Sequence, residues 1–78
     1  MSSKIVDLPR FNTGNGRLDS WNRLQILNNL VQGGRRLVAD TYLKSFSKEQ
    51  QEGMATILID IDEKGYEAVH RSVVVSIH

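Results

Sequence analysis

The stretch TILIDIDEKG, residues 56–65, decides the fold class of this 78-residue chain. Ile57, Ile59 and Ile61 alternate with other residues, which is the period of a β-strand with one buried face. The Asp-Glu-Lys-Gly sequence that follows suits a three-residue hairpin loop ending with glycine in the left-handed region. The stretch therefore predicts the first strand and the turn of an antiparallel β-hairpin.

The composition of residues 47–78 favours the same interpretation. This part of the chain holds nine β-branched residues and a single leucine, Leu58. Branched side chains fit a pleated surface better than a helix. The return strand of the hairpin would place four apolar residues on one face: Val69, Val73, Val75 and Ile77.

A helical alternative stays open for the same residues. Ser47 with Gln50 three positions later is a capping-box pattern, which predicts at least a short helical turn through Glu52. Four apolar residues after that pattern also fit a helical stripe: Met54, Ile57, Leu58 and Ile61. If they form a helix, the protein is a small all-α bundle, because short apolar runs do not distinguish the two structures.

The first half of the chain predicts two helices. Six leucines lie between residues 18 and 46, and leucine favours helix. Helix one would begin at Asp19 or Ser20 and end at Gly33 and Gly34. Its wide apolar face would hold Trp21, Leu24, Leu27, Leu30 and Val31. Helix two would run from about Arg35 to Phe46.

These elements predict an α+β domain with two helices followed by a C-terminal antiparallel β-hairpin. Residues 1–17 read as a flexible N-terminal arm and loop, since residues 12–16 are turn formers. Ile5, Val6 and Leu8 in this arm are candidates for a third strand, although Pro9 restricts such a strand to a sheet edge. Residues 18–78 would form the single small α+β domain.

The composition narrows the function mainly by exclusion. The chain has no cysteine, so thiol nucleophiles, thiolate metal sites and disulfides are excluded. No apolar run reaches the length of a membrane span, and the first residues lack the apolar core of a secretory signal. We therefore expect a cytoplasmic protein that makes no contact with a membrane.

No pattern predicts catalysis, a cofactor or a metal site. Asp60, Asp62 and Gly65 match the start of a calcium-binding loop, but Arg71 stands where the bidentate glutamate is needed. No serine lies in a nucleophile-elbow context, and no acid and nucleophile accompany His70 in the sequence. We expect a protein that is not an enzyme and binds neither cofactor nor metal.

The charge distribution points to a binding surface instead. Residues 1–36 carry six cations and two acids, and residues 37–78 carry four cations and seven acids. The predicted partner-binding residues are five arginines and one aromatic residue: Arg10, Phe11, Arg17, Arg23, Arg35 and Arg36. Arginine and aromatic side chains are enriched in interface hot spots. The first hypothesis is a regulator, adaptor or inhibitor that binds another protein, with formation of a homo-oligomer.

Two other hypotheses use the same basic residues. The arginines could contact the phosphates of a nucleic acid, although no nucleic-acid-binding motif accompanies them. Gly33, Gly34, Arg35 and Arg36 could bind a small anion or nucleotide, because glycines before a helix expose backbone amides. The simpler interpretation of these four residues is a glycine cap between two helices.

Overall fold

The computed structural model describes residues 8–75, and it is all-helical rather than α+β. Four helices make up 78% of the described residues, and none of these residues lies in a strand. The helices are α1 (Gly16–Gln32), α2 (Arg36–Lys44), α3 (Lys48–Lys64) and α4 (Tyr66–Val75). The predicted β-hairpin is therefore wrong, and the alternative of a small all-α bundle is confirmed.

Helix α3 replaces the first predicted strand. Its capping box is complete: Gln50 N donates to Ser47 Oγ at 3.1 Å, and Ser47 N donates to Gln50 Oε1 at 2.9 Å. This box begins a helix of 17 residues instead of the short turn that the sequence predicted. Met54 and Ile57 are buried, whereas Ile59 is 56% exposed. Ile57 and Ile61 fit both periods, whereas Ile59 fits the strand period alone, and the capping box starts the chain in the helical one.

Gly65 separates two helices instead of turning a hairpin. Its φ is +94°, which is a conformation for glycine, and its N–H donates to Ile61 O at 2.9 Å. Helix α4 follows directly, with Val69 and Val73 buried at a spacing of four. The return strand was wrong because this spacing buries two of the valines and leaves Val75 68% exposed.

The first two helices exist, with different bounds. Helix α1 begins at Gly16, because the side chain of Asn15 accepts from Leu18 N at 3.1 Å and caps it. The predicted start at Asp19 or Ser20 was three to four residues late, and both residues are buried inside the helix. The end at Gly33 and Gly34 is confirmed, with φ of +79° at Gly34.

Helix α1 is the centre of the bundle, since it contacts each of the other three helices. Its Trp21 ring lies 4.9 Å from the Tyr66 ring and 5.2 Å from the His70 ring of α4. Gly53 lets α3 approach α1, because a Cβ there would lie 2.9 Å from Ser20 Oγ. Within residues 8–75, the buried core holds ten apolar residues: Trp21, Leu24, Leu30, Ala39, Tyr42, Phe46, Met54, Ile57, Val69 and Val73.

The N-terminal arm was proposed as a third strand. Ile5 and Val6 lie outside the described residues, and residues 8–15 form no strand. Residues 9–13 instead run along the bundle in an irregular conformation, with a φ of +58° at Phe11. That the arm is flexible in solution stays a prediction.

Candidate partner-binding groove

An apolar groove runs along the bundle, with α1 as its floor. Helix α2 forms one wall, and α3 with the start of α4 forms the other. Its volume is about 840 Å³, which is within the usual range for ligand pockets. Of the described residues, twelve line it: Leu24, Gln25, Leu27, Asn28, Val31, Arg36, Ala39, Asp40, Leu43, Leu58, Ile61 and Tyr66.

These side chains line the same groove because their spacing along each helix puts them on one face. On α1, Leu24, Leu27 and Val31 follow one another at spacings of three and four, so they share one stripe. On α2, Ala39 and Leu43 are one turn apart. The face of α1 is wider than α3 and α4 can cover, and the uncovered part becomes the floor of the groove.

Several of these apolar side chains remain open to solvent. Val31 is 45% exposed, Leu58 is 54% exposed and Tyr66 is 51% exposed. The Tyr66 hydroxyl lies 3.2 Å from Gln25 Oε1 and donates to it, which fixes the aromatic ring at one end of the groove. A contiguous exposed apolar surface with polar edges is typical of a binding site.

The two walls differ in charge. Arg35, Arg36 and Lys44 accompany one carboxylate, Asp40, on and beside α2, and Lys44 pairs with Asp40 at 3.1 Å. On the other wall, Asp62 lies one turn beyond Leu58 on α3 and is exposed. Glu63 and Lys64 follow it and are exposed as well. Helix α2 with Arg35 is therefore net positive and the end of α3 is net negative, while Arg36 and Asp40, the charged residues that line the groove itself, have opposite signs.

The opposite flank of α2 is closed by the arm, mainly through Arg23. This arginine of α1 is only 3% exposed. Its Nε donates to Arg10 O at 2.9 Å, and one of its terminal nitrogens donates to Phe11 O at 3.2 Å and to Asn12 Oδ1 at 2.9 Å. Asp19 holds the next residue, because its carboxylate accepts from Thr13 N at 3.1 Å and from Thr13 Oγ1 at 2.7 Å.

Aromatic residues complete this contact between the arm and the helices. We call residues 9–13, together with Asp19, Arg23, Tyr42, Ser45 and Phe46, the arm clasp. The guanidinium carbons of Arg10 and Arg23 lie 4.2 and 4.7 Å from the centre of the Phe46 ring, which are cation–π distances. The Tyr42 hydroxyl donates to Pro9 O. Burial raises the pKa of Tyr42, and the nearby positive charges of Arg10 and Arg23 oppose that rise.

The structure uses four of the six predicted partner-binding residues within the fold. Arg10 also donates to the Ser45 side chain at 2.9 Å, and Arg23 is buried in the arm clasp. Arg17 pairs with Asp60 at 3.1 Å and donates to Ser72 Oγ at 3.2 Å, so it joins α1 to α3 and α4. Phe11 is half-buried, and Arg23 holds its carbonyl group. That these residues bind a partner stays a prediction.

Arg35 and Arg36 are exposed at the start of α2, away from the other four residues. A helix of nine residues separates them from the Ser45 contact of Arg10, which is about 13 Å. The N–H groups of Gly33, Gly34 and Arg35 donate to the α1 carbonyls of Asn29, Val31 and Leu30. These three amides are therefore already hydrogen-bonded within the chain, and anion binding by Gly33, Gly34, Arg35 and Arg36 stays a prediction.

Sequence reasoning did not identify the groove. Its signal was the apolar face of helix one, which is wide enough to contact more than one neighbour. The β-hairpin prediction assigned Leu58 and Ile61 to a sheet, so they were not placed beside α1 and α2.

Comparisons with known proteins add no relative, since no family model, curated protein or solved structure matches the chain. None of the helices in residues 8–75 has the length and apolar character needed to cross a membrane.

Proposed function

We propose that this protein is a non-enzymatic interaction module that binds an amphipathic helix of a partner protein in the apolar groove. The observation that supports it is a groove of about 840 Å³ with eight apolar or aromatic lining residues, of which Val31, Leu58 and Tyr66 are about half exposed. Laying an apolar helix face into such a groove is a recurrent mode of peptide recognition. The protein would regulate its partner by covering that face.

The lining predicts what the partner helix looks like. It needs large apolar side chains at spacings of three, four and seven to meet Leu27, Val31 and Leu58. The opposite charges of the two walls favour an acidic flank beside Arg36 and a basic flank beside Asp62. These charges would set the direction of the helix in the groove, while apolar contacts supply most of the affinity.

A protein partner is favoured over nucleic acid by the places of the arginines. Arg10, Arg17 and Arg23 already bond to groups of this chain. Phosphate binding needs several cations on one accessible surface, and only Arg35 and Arg36 of the five predicted arginines are exposed.

A labelled peptide tests this function directly. The probe is an 18-residue amphipathic helix with leucines on one face, glutamates on one flank and lysines on the other. Its fluorescence anisotropy is followed while the protein is titrated into it. We expect saturable binding that changes little between about 50 and 200 mM salt, because the centre of the contact is apolar.

Two neighbouring residues provide a matched pair of variants. Leu58 and Ile59 are 54% and 56% exposed on the same helix, but only Leu58 lines the groove. We expect Leu58→Asp to weaken peptide binding at least about tenfold, since it places a charge in an apolar contact, and Ile59→Asp to leave binding unchanged. Equal effects of the two variants would contradict the proposed site. Equal binding of a peptide with the same composition but scattered leucines would contradict it as well.

A further inference from the structure

We infer that a cleft between α1 and α3 is a binding site for a small monocarboxylic acid. The cleft has a volume of about 380 Å³, which lies at the lower end of the usual range for ligand pockets. Among residues 8–75, no residue lines both this cleft and the apolar groove. The site is therefore separate from the groove, and it does not rest on the proposed function.

The first observation concerns the hydroxyl group of Ser20, which lines the cleft although the residue is only 4% exposed. Within the described part of the chain, no group forms a hydrogen bond with Ser20 Oγ. Every side-chain oxygen of residues 8–75 that is shut off from solvent does have a hydrogen-bond partner, so Ser20 Oγ opens into the cleft. A hydroxyl group in a nearly buried position is normally hydrogen-bonded, and a molecule in the cleft would supply the missing bond.

Gly53 of α3 keeps this hydroxyl group accessible. It lines the cleft across from Ser20, and a Cβ atom at this position would lie 2.9 Å from Ser20 Oγ. Even the methyl group of an alanine would therefore crowd the hydroxyl group. The absence of a side chain at Gly53 leaves the approach to Ser20 open from the cleft.

Arg23 adds a positive charge on the same face of α1. It lies three residues after Ser20, lines the cleft and is only 3% exposed. Its Nε and Nη2 atoms hold the arm, whereas Nη1 has no hydrogen-bond partner among residues 8–75. Nη1 therefore reaches solvent as well. A hydroxyl group and a guanidinium N–H on one face are two donors for a carboxylate, which forms strong charge-assisted bonds with arginine.

The other charges of the cleft favour a carboxylate over an anion with two charges. Arg17 also lines the cleft, but it is paired with Asp60 at 3.1 Å. Glu49 lines the cleft, is exposed and forms no ion pair with the described part of the chain. Arg23 therefore attracts a single negative charge into the cleft, while Glu49 opposes a second one. Phosphate has that second charge, whereas a monocarboxylic acid does not.

An NMR titration of the intact chain tests the site. Amide and arginine Nε resonances are followed while sodium acetate replaces sodium chloride at constant ionic strength. We expect saturating shifts at Ser20, at Gly53 and at Nε of Arg23, with a dissociation constant on the order of millimolar. Shifts that stay linear up to about 100 mM acetate would overturn the site.

Inorganic phosphate, at a pH where it has two charges, is the second probe of the same titration. It should bind at least about threefold more weakly than acetate, because Glu49 repels its second charge. Phosphate that binds as tightly as acetate, or more tightly, would overturn the assignment of the ligand as a monocarboxylic acid.

Ser20→Ala removes the free hydroxyl group and should weaken acetate binding about tenfold, since a hydrogen bond to a charged group is lost. Thr41→Ala is the control, because the Thr41 hydroxyl already donates to Leu37 O at 2.9 Å and does not line the cleft. This control should bind acetate like the unaltered chain. A Ser20→Ala variant that binds acetate with unchanged affinity would contradict the site.

A matched pair of acidic residues tests the contribution of charge. Glu49 and Glu52 are both exposed on α3, but only Glu49 lines the cleft. Glu49→Gln should strengthen acetate binding about twofold, the modest effect of one exposed charge, and Glu52→Gln should leave it unchanged. Equal effects of the two variants would show that acetate responds to the overall charge of α3, which would overturn the site. Leu58→Asp in the groove should not change acetate binding, so this site and the proposed function are tested independently.

Discussion

Helix α2 has two flanks, and residues 8–75 cover only one of them. On one flank, residues 9–13 lie against Tyr42 and Phe46, and their polar groups bond to Arg23 and Asp19. On the other flank, Ala39 and Leu43 line the open groove. The covered flank is rich in charge-assisted hydrogen bonds, whereas the open flank is apolar.

This difference separates the requirements of folding from those of binding. Among residues 8–75, no buried side-chain nitrogen or oxygen lacks a hydrogen-bond partner, so the arm clasp is complete without another molecule. The groove leaves apolar side chains in water, and a second molecule would remove them from it. We therefore expect substitutions in the arm clasp to change stability, and substitutions in the groove to change association.

The largest effect is expected from Arg23→Ala, which removes three hydrogen bonds to the arm and one cation–π contact. The free energy of unfolding should fall by about 3 kcal/mol, since buried charged hydrogen bonds are costly to break. Urea unfolding followed by circular dichroism measures it. Arg35→Ala, at an exposed arginine, is the control and should change stability by less than about 0.5 kcal/mol. If Arg23→Ala lost no more stability than the Arg35→Ala control, the arm clasp would contribute no stability.

A smaller effect is expected from Tyr42→Phe, which keeps the ring and removes the hydroxyl that donates to Pro9 O. One neutral hydrogen bond contributes about 1 kcal/mol, so the free energy of unfolding should fall by that amount. The same urea experiment measures it. Combined with Arg23→Ala, the losses should not be additive, because both variants release the arm. Strict additivity would show that Pro9 is held independently of the clasp.

Alkaline pH should weaken the same flank. Burial raises the pKa of Tyr42 in the folded state, so the folded protein keeps this proton at a pH where the unfolded chain loses it. The resulting stability is complete below about pH 10, the ordinary value for tyrosine, and is lost as the pH rises beyond it. Above that pH, the free energy of unfolding of Tyr42→Phe should fall less than that of the unaltered chain. Parallel pH profiles of the two proteins would disprove the assignment to Tyr42.

The smallest effect on stability is expected from Leu58→Gln in the groove. Leu58 is 54% exposed, so the free energy of unfolding of the monomer should change by less than about 0.5 kcal/mol. The adjacent Ile57 is 1% exposed, and Ile57→Ala should cost about 3 kcal/mol. Both are measured by urea unfolding at a concentration where the chain is monomeric. A large loss for Leu58→Gln would mean that the groove wall is part of the core.

Local signals in the sequence predicted the helix boundaries better than the fold. The glycine pair at 33 and 34 and the capping box at Ser47 and Gln50 act through bonds to residues within one turn, so they are visible in the sequence. The arm clasp was not visible, because Arg23 bonds to residues 11 to 13 positions earlier. Arg23 was predicted to bind a partner, because its sequence neighbours do not reveal that the arm packs over it and buries it.

Residues 56–65 show what the local sequence pattern does not determine, namely whether the segment forms a strand or a helix. Ile57 and Ile61 satisfy the strand period and the helix period together, so the local pattern determined only that their side of the segment is buried. The tertiary structure decided the rest: in a helix, Met54 and Ile57 are buried in the core and Ile61 packs against it, while Leu58 is left exposed in the lining of the groove. By itself, the sequence determined caps, breaks and apolar positions, because these depend on near neighbours. Only the packing of four helices decided which apolar faces are covered, since that depends on contacts between residues far apart in the chain.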